Sequence, residues 1–306
     1  MIYDIAIVGA GCAGMTAALY ARRNNKSIVL FEASTFGGQI SEAPLVENYP
    51  GIQKISGAEF SDQLLTQVTD FGAVVEPDTV INIVYENNIV NITTDFSKYN
   101  AKAIIIATGC KSRKLNLPNE EAYVGKGIGY CAICDGTFYS NKDVAVVGGG
   151  DSAFTEAIYL SGICSSVTLI HRRDEYRAEE SLVKKAKAIK NIQYLTSSVV
   201  DSIVDDNKGN VKVLKIKNLS NNTCTELPTE CLFISIGRIP QTQLVKDILP
   251  LDAEGFIAVN ESCKTELPWL YVAGDCRKKA VRQLTTAMAD GSVAALAACE
   301  YVDSLN

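Results

Sequence analysis

IAIVGAGCAGMTAALYARRNNKSIVLFE at residues 5–32 and VAVVGGGDSAFTEAIYLSGICSSVTLIH at residues 144–171 align without a gap, at a constant offset of 139. Nine of the twenty-eight positions are identical, among them Val8/Val147, Gly9/Gly148, Gly11/Gly150 and Ala18/Ala157. Each copy reads as a β-branched strand, a glycine turn, an alanine-rich helix and a second strand. That unit wraps a dinucleotide phosphate, so the repeat predicts an α/β chain with two Rossmann-like units. Two dinucleotides in one chain point to electron transfer between them.

In the first copy Gly9 permits the tight turn from strand to helix, Gly11 lets the backbone approach a pyrophosphate, and Gly14 lets the helix sit close to the sheet. The helix start then aims free N–H groups and the positive end of its dipole at the phosphates. Gly148, Gly150 and Ala153 take the same three places in the second copy. The copies part at their last position, Glu32 in one and His171 in the other. A carboxylate there accepts hydrogen bonds from ribose hydroxyls and repels a 2′-phosphate, which suits the adenosine of FAD or NAD. His171, Arg172, Arg173 and Arg177 of HRRDEYRA instead offer planar, charge-assisted donors, which suit NADP.

Composition narrows the setting. A chain of 306 residues that is 47% apolar has room for two folded domains. No apolar run approaches the ~20 residues of a membrane span. MIYDIAIVGAG enters a strand without the basic region of a signal peptide, so the expected location is cytoplasmic. The net charge of −6 argues against a nucleic-acid binder, and Lys184, Lys185, Lys187 and Lys190 read as one solvated helix face. Ten scattered cysteines do not form a disulfide framework, and only one pair has chemically meaningful spacing.

Strand-like segments recur at 4–8, 27–31, 103–107, 143–147, 166–170, 232–236 and 269–273, with helical patterns at 13–24, 58–71, 151–161 and 179–189. The class is therefore α/β with parallel sheets. Two β-rich passages, 73–100 and 192–233, read as antiparallel meanders, one inserted in each dinucleotide unit. Connectors are expected at Leu115–Asn119 and after Gly237 through Pro240. The alanine-rich helix near the carboxyl end needs a larger partner, so it is assigned to the first unit, with the second unit as an insertion.

Ahead of the second copy lies GIGYCAICDGTFY, with Cys131 and Cys134 two residues apart. This spacing closes a small disulfide ring whose two states can be close in energy. Zinc would need three or four ligands, yet there is no second such pair and no histidine except His171. An inert buried pair is the remaining alternative. Asp135, directly after the second cysteine, would donate a proton to a departing thiolate if burial raised its pKa; its bland reading is a turn carboxylate.

GAGCAG at 9–14, GGQI at 37–40, ENYPG at 47–51, ATG at 107–109, CAICDG at 131–136, GGGDSA at 148–153, HRRDEYRA at 171–178, AGD at 273–275 and RQ at 282–283 succeed one another in this order. In that order the chain resembles the low-molecular-weight, bacterial-type thioredoxin reductases over nearly its whole length. The resemblance implies an FAD-binding domain of residues 1–115 and 245–306. An NADPH-binding domain of residues 116–244, carrying the redox-active pair, would be inserted in it.

It further implies FAD on Gly9, Gly11, Cys12, Ala13 and Gly14, with Glu32 and Ala33 at the adenosine ribose. Gly38, Gln39 and Asn48 would lie near the isoalloxazine, with Ala107, Thr108 and Gly109 on the same cofactor. Gly274 and Asp275 would face the ribityl chain or pyrophosphate, and Arg282 and Gln283 the flavin. NADPH would lie on Gly148, Gly150, Asp151, Ser152 and Ala153, on His171, Arg172, Arg173 and Arg177, and on Ile236 and Gly237. No metal is expected. Family members are homodimers that reduce thioredoxin or another small CxxC protein. They turn the inserted domain so that nicotinamide and disulfide, which cannot share the flavin's reactive face, take turns there, and Cys134 would be the sulfur nearer the flavin.

Phe154 and Thr155 depart from the aliphatic residue and glutamate common in relatives, and Tyr49 from a frequent tryptophan. Three other readings compete. A ferredoxin-fed flavin reductase of the same fold would have eroded nucleotide motifs, and a ferredoxin or flavodoxin NADP reductase would lack the cysteine pair. A non-catalytic, flavin-bound redox sensor would not need complete sites for donor, relay and outlet.

Overall fold

The computed structural model describes residues 1–305. In chain order the elements that matter are β1 (Ile2–Val8), α1 (Cys12–Arg23), β2 (Ile28–Phe31), α2 (Gly57–Asp70), β3 (Val74–Glu76), β4 (Val80–Glu86), β5 (Ile89–Thr94) and β6 (Lys98–Ile106). After β7 (Cys110–Ser112) come β8 (Ile128–Gly129), α3 (Ala132–Asp135), β9 (Asp143–Val147), α4 (Asp151–Ser161), β10 (Ser166–Ile170), α5 (Glu180–Lys187) and β11 (Ile192–Leu195). The strands β12 (Ser198–Asp205), β13 (Val211–Asn218), β14 (Cys224–Pro228), β15 (Cys231–Ile234), β16 (Arg238–Pro240) and β17 (Leu270–Val272) come next, and α6 (Leu284–Ser304) closes the series. The chain divides into an outer unit, Met1–Lys111 with the residues from Ile239 onward, and an inner unit, Ser112–Arg238.

The outer unit is built on a sheet whose parallel part runs β3-β2-β1-β6-β17. Ile5, Ala6 and Ile7 of β1 are wholly buried, the continuous apolar run of a parallel strand covered on both faces. One edge of β6 is shared: its first half pairs antiparallel with β5, and Ile104–Ile106 pair parallel with β17. α1 and α6 belong to one core, where Ala17, Ala18, Ala21, Ala294, Ala295 and Ala298 are buried. Small side chains on both helices let their backbones approach closely. A Cβ on Gly291 of α6 would stand 2.2 Å from the Ala13 carbonyl oxygen.

The inner unit repeats the plan as an all-parallel sheet, β11-β10-β9-β15-β8. Phe154 and Phe233 are wholly buried in its core, each worth about 1.5–3 kcal/mol of burial. Both β-rich passages differ from a pure meander. Each gives its first strand, β3 or β11, to the parallel sheet; the antiparallel strands follow it, β4 and β5 in one and β12, β13 and β14 in the other, and the second passage then enters β15, which is parallel again. Apolar patterning marks these segments as strands but carries no sign of their direction.

The chain crosses between units at β7 and β16, which pair with each other. Residues after the first crossing pack with the inner unit, because the buried Glu120 carboxylate accepts the N–H groups of Leu115 (3.2 Å) and Leu117 (3.0 Å) and the Tyr130 hydroxyl (2.8 Å). Residues after the second pack with the outer unit, where Gln241 N–H reaches Gly109 O at 3.0 Å and Thr108 Oγ1 donates to Gln241 O at 2.5 Å. Among the described residues no helix is long and apolar enough to cross a membrane.

Candidate functional site

The first glycine loop closes on itself. Gly9 sits at φ 102°, a conformation that disfavours any side chain, and a Cβ on Gly14 would lie 1.8 Å from Gly9 O. Around Gly11 there is room: a Cβ there would meet only Gly37 O at 3.9 Å, and one on Gly109 would meet nothing within 4 Å. α1 starts at Gly11 with no side-chain cap and no acid in its first turn, so its leading N–H groups face that space. The cradle thus fits a diphosphate. Glu32, at the end of β2, accepts Ala10 N–H at 2.8 Å and Ser34 N–H at 2.9 Å, which fixes its carboxylate beside the loop and next to Ala33.

The remaining outer-unit residues converge on the same end of the sheet. Gly37 N–H donates to Ala10 O at 2.8 Å, drawing the Gly38–Gln39 segment onto the loop, and Gln39 Nε2 donates to Cys110 O at 2.6 Å. Asn48 Nδ2 reaches Gln283 Oε1 at 3.4 Å, while Gln283 and Thr286 cap α6 reciprocally. Arg282 lies 4.1 Å above the Phe256 ring and donates to Asp275 O at 3.5 Å. Gly274 stands against Ala13, where a Cβ would be 2.9 Å from the alanine methyl, and the backbone of Gly9 passes Ala107 and Thr108. Cys12 and Cys276 are buried, and burial pushes their thiols up to about 12 and about 11. Their burial disfavours the thiolate form and suits small filling side chains.

A buried ionic cluster that sequence reading missed braces this region. Asp290, inside α6, accepts Gly274 N–H at 3.0 Å, Arg277 at 2.8 and 2.7 Å, and Lys279 at 2.8 Å. Asp290 is 5% exposed and Arg277 3%. Burial alone would raise the Asp290 pKa, but the two cations outweigh it and hold the carboxyl below its ordinary value. An acid within an alanine-rich helix was the one available signal.

The inner unit's loop is similar in plan and different in charge. Gly150 faces open space, with nothing within 4 Å of a Cβ, and starts α4 without a side-chain cap. Asp151 turns its carboxylate to Glu179 N–H at 2.7 Å, while Ser152 lies exposed in the first turn and Ala153 is wholly buried. The N–H groups of Arg177 (2.7 Å) and Ala178 (3.2 Å) both donate to Gly149 O, folding the HRRDEYRA segment back onto the loop. Ser235, just before Ile236 and Gly237, brings its carbonyl to 2.3 Å from a Cβ on Gly148. This set fits a nucleotide with an added phosphate. Arg172, Arg173 and Arg177 are exposed there, whereas His171 is buried, with Nε2 3.1 Å from Glu175 O. Burial, reinforced by the three arginine charges, pushes the His171 pKa down against the Glu175 hydrogen bond, so the positive charge resides on the arginines.

Cys131 and Cys134 form a disulfide with their Cα atoms 5.3 Å apart, just past the end of β8. Cys131 O accepts the N–H groups of Cys134 (3.1 Å) and Asp135 (3.0 Å), closing the single turn α3. Ala132 is wholly buried and anchors that turn, while Ile133 and Phe138 are exposed beside the pair. Asp135 is half-buried, and burial pushes its carboxyl up to about 6. The turn combines a two-electron couple with an acid that holds a proton at mildly acidic pH. Among the described residues no group of three or more His, Cys, Asp or Glu could hold a metal ion.

The family model described as pyridine nucleotide-disulphide oxidoreductase matches residues 3–291. A thioredoxin reductase of Listeria innocua is 39% identical over 306 residues, covering 99% of this chain and 95% of that protein. A thioredoxin reductase of Mycoplasma genitalium is 41% identical over 302 residues, covering 97% and 94%. The crystal structure of a thioredoxin reductase from Streptococcus pyogenes has a TM-score of 0.94 to this chain at 39% identity, with 99% of each chain covered.

Proposed function

Because this chain belongs to the pyridine nucleotide-disulphide oxidoreductases, we propose that it is an NADPH-dependent thioredoxin-disulfide reductase, with thioredoxin or another small CxxC protein as its partner. The carrying observation is the Cys131–Cys134 disulfide, set in the same unit as the arginine-edged nucleotide loop and followed at once by a half-buried acid. In this reading FAD lies on the outer unit's loop, Glu32 and the segments carrying Gln39, Asn48, Asp275, Arg282 and Gln283. NADPH lies on the inner unit's loop, with Arg172, Arg173 and Arg177 taking the 2′-phosphate.

When bound, the nicotinamide and flavin supply the two-electron transfer that reduces the Cys131–Cys134 disulfide. As the S–S bond opens, each sulfur needs a proton, and Asp135 holds one at a pH where an ordinary carboxylate has lost it. The reduced pair then acts by exchange. One thiolate attacks the partner's disulfide to form a mixed disulfide, the second sulfur displaces the partner as its dithiol, and the Cys131–Cys134 bond is restored. Alternation of disulfide and nicotinamide at the flavin would bend the chain at its two crossings, β7 and β16.

The proposed assembly is a homodimer formed through the outer unit, where α1 and α6 leave Tyr20, Val293 and Leu296 exposed. The proposed location is the cytoplasm, in keeping with eight free cysteines among the described residues. Replacing Cys131 or Cys134 by Ser tests the reading. Each variant is expected to lose reduction of a thioredoxin disulfide while NADPH still bleaches the flavin absorbance. Full thioredoxin turnover in either variant would overturn it.

A further inference from the structure

Alignment of the two sequence copies places Glu156 opposite Ala17. Ala17 is wholly buried in the outer unit's core, so the second copy carries an acid at a position that the first fills with a methyl group. Glu156 lies mid-way along α4, and its carboxylate accepts the Ala132 N–H, inside the disulfide turn, and the Ser235 hydroxyl at the end of β15. Its second oxygen, Oε2, is buried without a hydrogen-bond partner. One side chain therefore ties three segments of the inner unit: the redox turn, the helix that starts at the nucleotide loop, and the strand end beside Gly148.

We propose that Glu156 is a positioning residue for the Cys131–Cys134 pair, holding the disulfide turn from α4 and setting a carboxylate on the backbone N–H next to Cys131. The inference rests on the redox role proposed above for that pair. Ala132 is chain neighbour to Cys131, so a carboxylate on its N–H opposes the negative charge that a thiolate brings and keeps the thiol's pKa high. The charged group facing Glu156 is Arg238, at the second crossing, which favours the carboxylate; the turn's own acid, Asp135, is raised by burial alone. Burial is also the largest influence on Glu156, pushing it up to about 7 against Ser235, Arg238 and Ala132. Its ionisation therefore changes within the pH range where the pair would work.

Glu156→Gln keeps an acceptor for Ala132 and Ser235 and removes the charge. The measurement is the pH profile of iodoacetamide alkylation in the full-length, flavin-loaded chain reduced by dithiothreitol. It is tracked by mass spectrometry at the Cys131–Cys134 peptide, because Cys224 is exposed and would react as well. The midpoint is expected to fall by about one pH unit, a tenfold gain in thiolate below it. Glu156→Asp is expected to move the profile back toward the native one. Should the Gln variant fail to fold, Ser235→Ala removes a hydrogen bond that favours the carboxylate and should shift the profile the same way by less. A native profile in Glu156→Gln, or in Ser235→Ala if the first does not fold, overturns the role of Glu156. A pair that neither dithiothreitol nor NADPH reduces would instead overturn the redox reading itself.

Discussion

The two units lay out five parallel strands in the same order, β3-β2-β1-β6-β17 and β11-β10-β9-β15-β8, and differ in where the fifth strand comes from and where it leads. In the outer unit the fifth strand arrives from the carboxyl end of the chain and leads into Ala273-Gly274-Asp275. In the inner unit it comes before the phosphate-binding strand and leads into Cys131. The slot is the same in both, at the carboxyl end of the sheet one strand beyond the neighbour of the glycine loop, where ligands of open α/β sheets gather. One sheet plan thus presents the acid Asp275 in one unit and a disulfide pair in the other. The difference lies in connection order, which a repeat confined to residues 5–32 and 144–171 does not reveal.

The comparison breaks most sharply at the third glycine position. Gly14→Ala should cost at least about 3 kcal/mol and leave the outer unit without flavin, because the new methyl meets Gly9 O at 1.8 Å. Flavin absorbance and urea unfolding would check it. A second asymmetry is Asp290, whose cluster has no described counterpart in the inner unit. Asp290→Ala should cost about 3 kcal/mol, because it strands two buried cations. Since the folded-state pKa of Asp290 is depressed, the native cluster contributes fully above the ordinary carboxylate pKa and is lost as pH falls through the lower folded value. The variant should therefore show a weaker loss of stability on acidification, measured by denaturant unfolding between pH 6 and 3.

The charge contrast between Glu32 and the arginines gives the next effect. Replacing Arg172 and Arg173 together by Ala should raise the KM for NADPH about 10- to 100-fold and leave that for NADH nearly unchanged. Equal losses with both nucleotides would remove these arginines from 2′-phosphate recognition. The smallest effect is the converse of the first. Ala153→Gly should cost only about 1 kcal/mol, the helix penalty of glycine, with the inner loop intact. Ala153 is tolerated because Gly148, at φ 159°, is nearly extended and turns less sharply than Gly9.

Much of this was legible from residues alone. The glycine spacing marks both loops, because only small residues allow a helix start to pack on the strand before it, and the Glu32/His171 mismatch marks their different charge. Gln39, Asn48 and Gln283 could be gathered into one site only through resemblance, because Asn48 and Gln283 meet across 235 residues of sequence. The Asp290 cluster left a single sign, an acid inside an alanine-rich helix, and that sign names no partner. Its partners approach from a loop that sequence reading treats as an ordinary turn, and nothing in the helix pattern says that a cation waits opposite. Glu156 stood in plain view opposite Ala17, but the repeat reads as helix and not as core until burial is known. The sequence groups His171 with its arginine neighbours as a charge-assisted donor, whereas burial, which no sequence window reports, lowers its pKa and disfavours the charged form.

The shared edge of β6 also bears on how the chain is assembled as it is made. Residues 98–106 leave the ribosome early, yet their pairing with β17 and the packing of α6 on α1 wait until the entire inner unit has been synthesised. The inner unit has all its strands, β8 to β15, in one uninterrupted stretch and can close its sheet first. The domain that is second in sequence is thus the first whose strands are all available.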